Sequence, residues 1–221
     1  RRFRKMTHII EQGNWGICGF VSVLNAIHQN AGFKEFGVAL TVEKVQDRLV
    51  AEVITYLKMT KVERSQITNE IMAFTKSFGT PFNQLADIDA LIHQLETALR
   101  NAIKDGSSPA SVIRSEGVGV AMTPNALADY LKFANIAFER KTSPTDLTEH
   151  GLRNVPHSVV GVGTGDKSTF GGLQHWVYIN ASGNLINWGE EVTLNRSFLI
   201  PKDLSFATYV TDVFQLSSSR S

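Results

Sequence analysis

The hydrophobic pattern of this 221-residue chain changes character near residue 136. Before that point, apolar residues recur at three- and four-residue spacing, which is typical of helices that bury one face. After it, short segments rich in Val, Ile, Phe and Tyr often alternate and are separated by Gly and Asn clusters, which is typical of antiparallel strands. Helices followed by strands predict an α+β fold in which the two classes are segregated.

The pattern predicts helices first and strands second, each with approximate bounds. The helical periodicity covers 18–29, 41–61, 67–78, 85–103 and 124–134. The strand pattern covers 136–140, 158–162, 175–179, 185–188 and 207–214. The sequence at 181–184 predicts a hairpin turn between two of these strands.

The domain organisation is predicted to be simple. One domain covers 12–216, a basic arm or linker end covers 1–11, and a Ser-rich tail at 217–221 is expected to fray. The helical stretch 33–106 is interpreted as an insertion or subdomain. Two roles for these helices stay open: they select a substrate or dock a partner, or they complete the core.

Composition excludes several classes of function. The chain has 22 basic and 21 acidic residues, so bulk nucleic-acid binding is not expected. A single Cys excludes an intramolecular disulfide and a Cys-based zinc site. No apolar run reaches the roughly 20 residues of a membrane span, and no signal peptide is recognised. No phosphate-binding loop or metal motif is present, so no cofactor is implied.

The one cysteine, Cys18, follows a Gly-containing loop and stands at a predicted helix start. Partial positive charge at a helix N-terminus lowers a thiol pKa. Gln12 lies six residues earlier, and its side-chain amide can donate a hydrogen bond. A thiolate nucleophile with its own backbone N–H and Gln12 as oxyanion donors is therefore one interpretation. The other is a buried structural thiol.

A thiolate nucleophile needs a base, which is normally a histidine. We expect this base to be His175, because it follows the Gly-rich stretch 170–174 and opens the predicted strand 175–179. A polar residue at that position can face a cleft while the strand stays in the core. The alternative is a histidine at a sheet edge with no catalytic role. The other histidines lie in the basic arm, in helical patterns or in loops: His8, His28, His93, His150 and His157.

A third group should orient the imidazole, as an Asn or carboxylate does in catalytic triads. Asn187, in the strand after the hairpin turn, is the expected group. A tight turn at 182–183 would instead place residue 190 or 191 opposite His175. Glu190 and Glu191 therefore remain open as alternatives.

These motifs, taken together, resemble the papain-like cysteine peptidases, and look closest to the bacterial peptidase C39-like branch. The resemblance covers roughly 12–30 and 123–191. It implies a papain-like fold, with a nucleophile helix packed against a C-terminal antiparallel sheet. The matching residues are a Gln, a Cys-Gly pair before an apolar helix, a His-Trp-Val strand and an Asn-Trp-Gly: Gln12, Cys18-Gly19, His175-Trp176-Val177 and Asn187-Trp188-Gly189. The roles that the resemblance implies are nucleophile for Cys18, base for His175, orienting group for Asn187 and oxyanion donor for Gln12.

The chain departs from the family pattern at two places. Asn187 lies twelve residues after His175, which is a shorter spacing than the family usually shows. The transporter-linked members usually carry an acidic residue just before the nucleophile, where this chain has Ile17, and no transporter segment follows. Processing of leader peptides at an exporter is therefore not expected.

The resemblance also suggests a biological setting. The chain begins at Arg1 with a basic arm and shows no pro-segment or disulfide, as toxin domains of larger secreted bacterial effectors do. The expected function is a thiol protease that cleaves a protein substrate in the cytoplasm of a target cell and is neutralised by a cognate immunity protein. Two alternatives stay open: a glutamine deamidase or transglutaminase on the same triad, and a non-enzymatic binding module in which Cys18 is structural.

Overall fold

A computed structural model describes residues 9–114, 118–141, 145–146, 152, 155–164, 169–194 and 204–217. In these ranges the predicted α+β class is confirmed, with helices and an antiparallel sheet. The helices are α1 (Cys18–Ala31), α2 (Val42–Glu63), α3 (Ser65–Ser77), α4 (Ile88–Lys104) and α5 (Pro124–Phe133). The strands are β1 (Phe33–Glu35), β2 (Val38–Leu40), β3 (Phe138–Lys141), β4 (Thr145–Asp146), β5 (Ser158–Gly163), β6 (Leu173–Ile179), β7 (Leu185–Asn187), β8 (Glu190–Val192) and β9 (Tyr209–Leu216).

The structure differs from the sequence prediction mainly in its short strands. β1 and β2 form a separate hairpin inside the stretch predicted to be helical, and β4 and β8 were not predicted. Two or three residues are too few for an alternating pattern to be recognised. His175 is the third residue of β6 rather than its first, so the prediction that it opens the strand is wrong by two residues.

Side-chain caps explain where several helices begin. The hydroxyl of Thr41 accepts a hydrogen bond from the third backbone N–H of the first turn of α2, at 3.3 Å. Asp87 caps α4 in the same way at 2.9 Å, and Thr123 caps α5 at 3.1 Å. Such caps satisfy backbone donors that have no partner inside the helix. In contrast, no side chain of the described residues caps the N-terminus of α1.

The strands after residue 136 form one antiparallel sheet in the order β3-β9-β5-β6-β7-β8, and β4 also pairs with β9. Successive side chains of a strand point to opposite faces of the sheet. Trp176 and Phe214 belong to the large core shared with α1, whereas Val160 and Val177 belong to a second, smaller apolar cluster. Because α1 packs along β6, the start of this helix lies beside the middle of the sheet.

The stretch 33–106 completes the core. Leu49 and Leu57 of α2 and Ile71 of α3 are fully buried in the same apolar cluster as Phe20 of α1. Phe20 also packs edge-on against Tyr56 of α2, with the ring centroids 5.5 Å apart. The helices of this stretch therefore complete the core, which is one of the two roles left open for them.

The inner ends of the predicted basic arm and tail are bonded to the rest of the domain. Ile10 is fully buried, and its backbone N–H donates to the side-chain oxygen of Asn25 at 2.8 Å. The backbone N–H of Ser217 donates to the carbonyl of Ala137 at 2.9 Å. The predicted arm therefore extends too far at residues 10 and 11, and fraying does not begin at residue 217. Residues 1–8 and 218–221 lie outside the described residues.

Replacing Leu57 with Ala tests whether 33–106 and the sheet unfold as one unit. We expect the free energy of unfolding to fall by about 2–5 kcal/mol, because a fully buried leucine leaves a cavity. Urea unfolding should be followed by circular dichroism, which reports the helices, and by tryptophan fluorescence. All three tryptophans, at 15, 176 and 188, lie outside 33–106.

Both signals should shift together in Leu57→Ala. Val62→Ala is the matched control, because Val62 is 83% exposed on the same helix. If the midpoint of the circular dichroism signal moved to a lower urea concentration while that of the fluorescence stayed unchanged, 33–106 would be a separately folding subdomain.

Candidate active site

Cys18 is the first residue of α1 and is partly buried. The preceding residue, Ile17, offers no capping side chain, so the first N–H groups of the helix are not used by a cap. The backbone N–H groups of Gly19 and Trp176 donate hydrogen bonds to the thiol sulfur. A helix N-terminus and two N–H donors both favour a negative charge on that sulfur.

His175 lies beside Cys18 because β6 packs along α1. The imidazole is only 6% exposed and is hydrogen-bonded to the Cys18 thiol. Its Nε2 lies 2.6 Å from Oδ1 of Asn187, which leaves Nδ1 as the ring nitrogen that faces the sulfur. The three side chains therefore form one continuous chain of hydrogen bonds.

The charges of Cys18 and His175 support each other. Burial alone would raise the pKa of the thiol, but the positive imidazolium and its hydrogen bond, with the N–H groups of Trp176 and Gly19, bring the pKa of Cys18 below its usual value. Burial alone would lower the pKa of His175, but the thiolate and the hydrogen bond to Asn187 raise it. Both shifts therefore act in the direction of a thiolate–imidazolium pair.

Asn187, rather than Glu190 or Glu191, contacts the imidazole. The ladder between β6 and β7 pairs Tyr178 with Ile186, and the chain then turns at 188–189 into β8. β8 lies on the side of β7 away from β6, so both glutamates are one strand further from His175. Glu190 is exposed. Glu191 accepts hydrogen bonds from the side-chain amides of Asn180 and Asn184, and so supports the hairpin turn.

Two aromatic rings cover the imidazole. Trp188 stacks on His175 with ring centroids 5.0 Å apart and an interplanar angle of 29°. Phe206 meets the same ring edge-on at 6.3 Å. Such rings limit access of water to the charged pair. Sequence reasoning assigned no role to either residue, although Trp188 stands in the Asn-Trp-Gly motif that pointed to Asn187.

Gln12 reaches the site from the loop before α1. Its Nε2 donates to the backbone carbonyl of Trp15 at 3.1 Å. An amide has two N–H bonds, so one donor remains for a ligand. Gly13 allows the sharp turn that follows: its φ is +57°, and a Cβ there would lie only 2.3 Å from the carbonyl oxygen of Ile113.

A cavity of about 200 Å³ opens beside the nucleophile. Gln12, Cys18 and His175 line it on one side, so three of the four residues expected from the sequence face the same space. Most of the remaining wall is apolar. It comes from α3 and the loop after it, from the segment before α5, and from β6. This apolar part of the wall consists of Phe74, Phe78, Phe82, Ala121, Met122, Leu173 and Trp176, together with Trp188. The periodicity of 67–78 predicts a helix face for Phe74 and Phe78 and gives no sign that they reach the site.

The histidines that were not chosen lie elsewhere where they are described. His28 stacks on Phe33 at 5.1 Å, and His157 bonds the hydroxyl of Tyr178 at 3.0 Å. His93 is exposed on α4. The remaining two, at positions 8 and 150, lie outside the described residues.

The described ranges contain no group of three or more His, Cys, Asp or Glu side chains that could hold a metal ion. Within the same ranges, none of the helices combines the length and apolar character needed to cross a bilayer. Comparison of the chain with protein-family models, with curated proteins and with solved structures finds no match.

Replacing Asn187 with Ala tests whether its hydrogen bond orients the imidazole of His175. Loss of the acceptor on Nε2 should lower the pKa of His175 and weaken the ion pair, so the pKa of Cys18 should rise. The pH midpoint of Cys18 alkylation by iodoacetamide, followed by intact mass, should move up by about one unit. Glu190→Gln is the matched control and should leave the midpoint unchanged. A shift in Glu190→Gln but not in Asn187→Ala would contradict this assignment.

Proposed function

We propose that this chain is a cysteine peptidase with a papain-like fold. The observation that carries the proposal is the continuous hydrogen-bonded chain of Cys18, His175 and Asn187. A nucleophile at a helix start, packed on an antiparallel sheet that carries the base and its orienting group, is also the arrangement that the sequence resemblance implies. A purely structural thiol would need no imidazolium partner, so the lowered pKa of Cys18 supports a nucleophile.

In the first half of the reaction, the Cys18 thiolate attacks the carbonyl carbon of the scissile amide. The carbonyl π electrons move to the oxygen, which becomes an oxyanion. When the intermediate collapses, the C–N bond breaks and the His175 imidazolium gives its proton to the leaving amine. The products of this half are a free amine and a thioester on Cys18.

In the second half, neutral His175 takes a proton from a water molecule, which attacks the thioester carbonyl. Collapse of this second intermediate releases a carboxylic acid and restores the thiolate and the imidazolium. Asn187 holds the ring through Nε2 in both halves, so Nδ1 stays directed at the sulfur. The aromatic cover of Trp188 and Phe206 keeps the pair away from bulk water.

Both intermediates carry an oxyanion that needs fixed donors. The backbone N–H of Cys18 lies at the uncapped start of α1, and the side chain of Gln12 lines the same cavity. We assign these two groups to the oxyanion hole. Removal of one such donor typically reduces the rate by about 10²-fold or more.

The cavity beside Cys18 suggests what the peptidase recognises. Apolar cavities of about 150 Å³ accept one benzene molecule, and this one measures about 200 Å³. It therefore has room for one large apolar side chain of the substrate.

The biological setting proposed here is a toxin domain of a secreted bacterial effector, which an immunity protein neutralises in the producing cell. The sequence resemblance supports this setting. The proposal places the substrate among proteins of the target-cell cytoplasm. Expression of the domain in a bacterial cytoplasm therefore exposes it to candidate substrates directly.

Expression of the wild type and of Cys18→Ala in bacterial cells, followed by sequencing of protein N-termini, tests the function. We expect new N-termini and slowed growth with the wild type and neither with Cys18→Ala, because the thiolate is the nucleophile. The cleavage sites should share one large apolar residue near the cut. His93→Ala is the control variant, because His93 is exposed on α4. This variant should cleave the same proteins as the wild type.

Other outcomes separate the alternatives. Deamidated proteins without new N-termini would favour the glutamine deamidase. An identical effect of the wild type and Cys18→Ala would favour a binding module. New N-termini without slowed growth would leave a peptidase but contradict the toxin setting.

A further inference from the structure

The backbone just before Gln12 is held by two side-chain amides. Asn25 of α1 accepts from the N–H of Ile10 at 2.8 Å and donates to its carbonyl at 3.1 Å. Gln46 of α2 does the same one residue later: it accepts from the N–H of Glu11 and donates to its carbonyl, both at 2.8 Å. Each amide therefore binds both polar groups of one peptide residue, as a neighbouring strand would.

This pairing has a strict chemical requirement. Only an amide side chain presents an acceptor oxygen and a donor nitrogen side by side in one plane. Gln46 is half-buried, and it belongs to the stretch 33–106 rather than to the part that carries the nucleophile and base. It is therefore a direct link from the inserted helices to the loop of the proposed oxyanion donor.

The same turn of α2 also supports the opposite side of that loop. The carboxylate of Asp47 accepts from the backbone N–H of Ala110 at 3.1 Å, in the first turn of the 3-10 helix Pro109–Arg114. Within this helix, the carbonyl of Ile113 accepts from the N–H of Asn14 at 2.7 Å. Gln46 thus binds the loop directly before Gln12. Asp47 binds the 3-10 helix, and that helix binds the loop after Gln12.

We propose that Gln46 is a positioning residue that aims Gln12 at the oxyanion, which rests on the proposed peptidase function. Gln12 directly follows Glu11, whose N–H and carbonyl are both held by Gln46. Its side chain keeps one bond of its own, to Trp15. Small displacements of such groups matter, because a shift of about 1 Å can reduce a rate about 10²-fold. The inserted helices then contribute to catalysis as well as to the core.

Two reactions of Cys18 separate this role from a structural one. Alkylation by iodoacetamide needs only the thiolate: the sulfur displaces iodide, and no oxyanion forms. Acylation by p-nitrophenyl acetate passes through an oxyanion: the sulfur adds to the ester carbonyl, p-nitrophenolate leaves, and an acetyl thioester remains. The ratio of the acylation rate to the alkylation rate therefore reports the oxyanion donors alone.

The test compares Gln46→Glu and Gln46→Met with the wild type in the full chain. Glu keeps the shape but places a carboxylate oxygen against the Glu11 carbonyl, and Met removes both bonds. We expect the acylation rate to fall at least about tenfold in both variants, while the alkylation rate stays unchanged. Gln66→Glu is the matched control, because Gln66 is exposed on α3, and both of its rates should stay at the wild-type values.

A double-variant cycle shows whether Gln46 acts through Gln12. Gln12→Ala should lose acylation about 10²-fold, and adding Gln46→Glu to it should cause no further loss. Independent, multiplying losses would overturn the proposal, as would normal acylation in Gln46→Glu and Gln46→Met. A parallel fall of alkylation and acylation would also overturn it, because Gln46 would then only support the fold.

Failure of the proposed function gives a different result. A wild-type thiol that is alkylated only above about pH 8.5, or that is not acylated, would contradict the peptidase and this inference with it. In contrast, a reactive wild type with a defective Gln12→Ala and a normal Gln46→Glu would contradict the positioning role alone.

Discussion

The contact between Cys18 and His175 joins the two parts of the chain. The thiol stands at the start of α1, the imidazole stands on β6, and the two residues lie 157 positions apart in the sequence. Neither charge is favourable alone in a partly or largely buried position, because burial opposes ionisation of both groups. Each becomes favourable only when the helix packs on the sheet, so the chemistry of the site depends on that packing.

The rest of the site follows from the same packing. Asn187 fixes one nitrogen of the imidazole and so directs the other to the sulfur. In the proposed reaction, the backbone N–H of Cys18 at the uncapped start of α1 would bind the oxyanion. The helices of 33–106 bury their apolar faces in the shared core, and Phe74 of α3 and Phe78 just after it also line the cavity.

Sequence reasoning recovers what is encoded locally. Periodic apolar residues predict α1 to α5, and the hairpin turn predicts the pairing of β6 with β7. In contrast, the three-residue strands carry too little pattern, and the approach of Asn187 to His175 depends on where that pairing stops. The contact of Gln46 is the clearest example of a feature that depends on the tertiary structure. Nothing in the pattern of α2 indicates that this amide binds the backbone of Glu11. The cavity beside Cys18 is likewise formed only when separate elements meet.

The most direct measurement of the central claim is the ionisation of Cys18, followed by the ultraviolet absorbance of its thiolate as pH is raised. The chain has one cysteine, so no other thiol contributes to the signal. We expect a midpoint clearly below the ordinary value of about 8.5 in the wild type. In His175→Ala we expect a midpoint above that value, because burial then acts without the opposing positive charge of the imidazolium. Titration of both proteins near 8.5 would contradict the ion pair, and with it the proposed nucleophile.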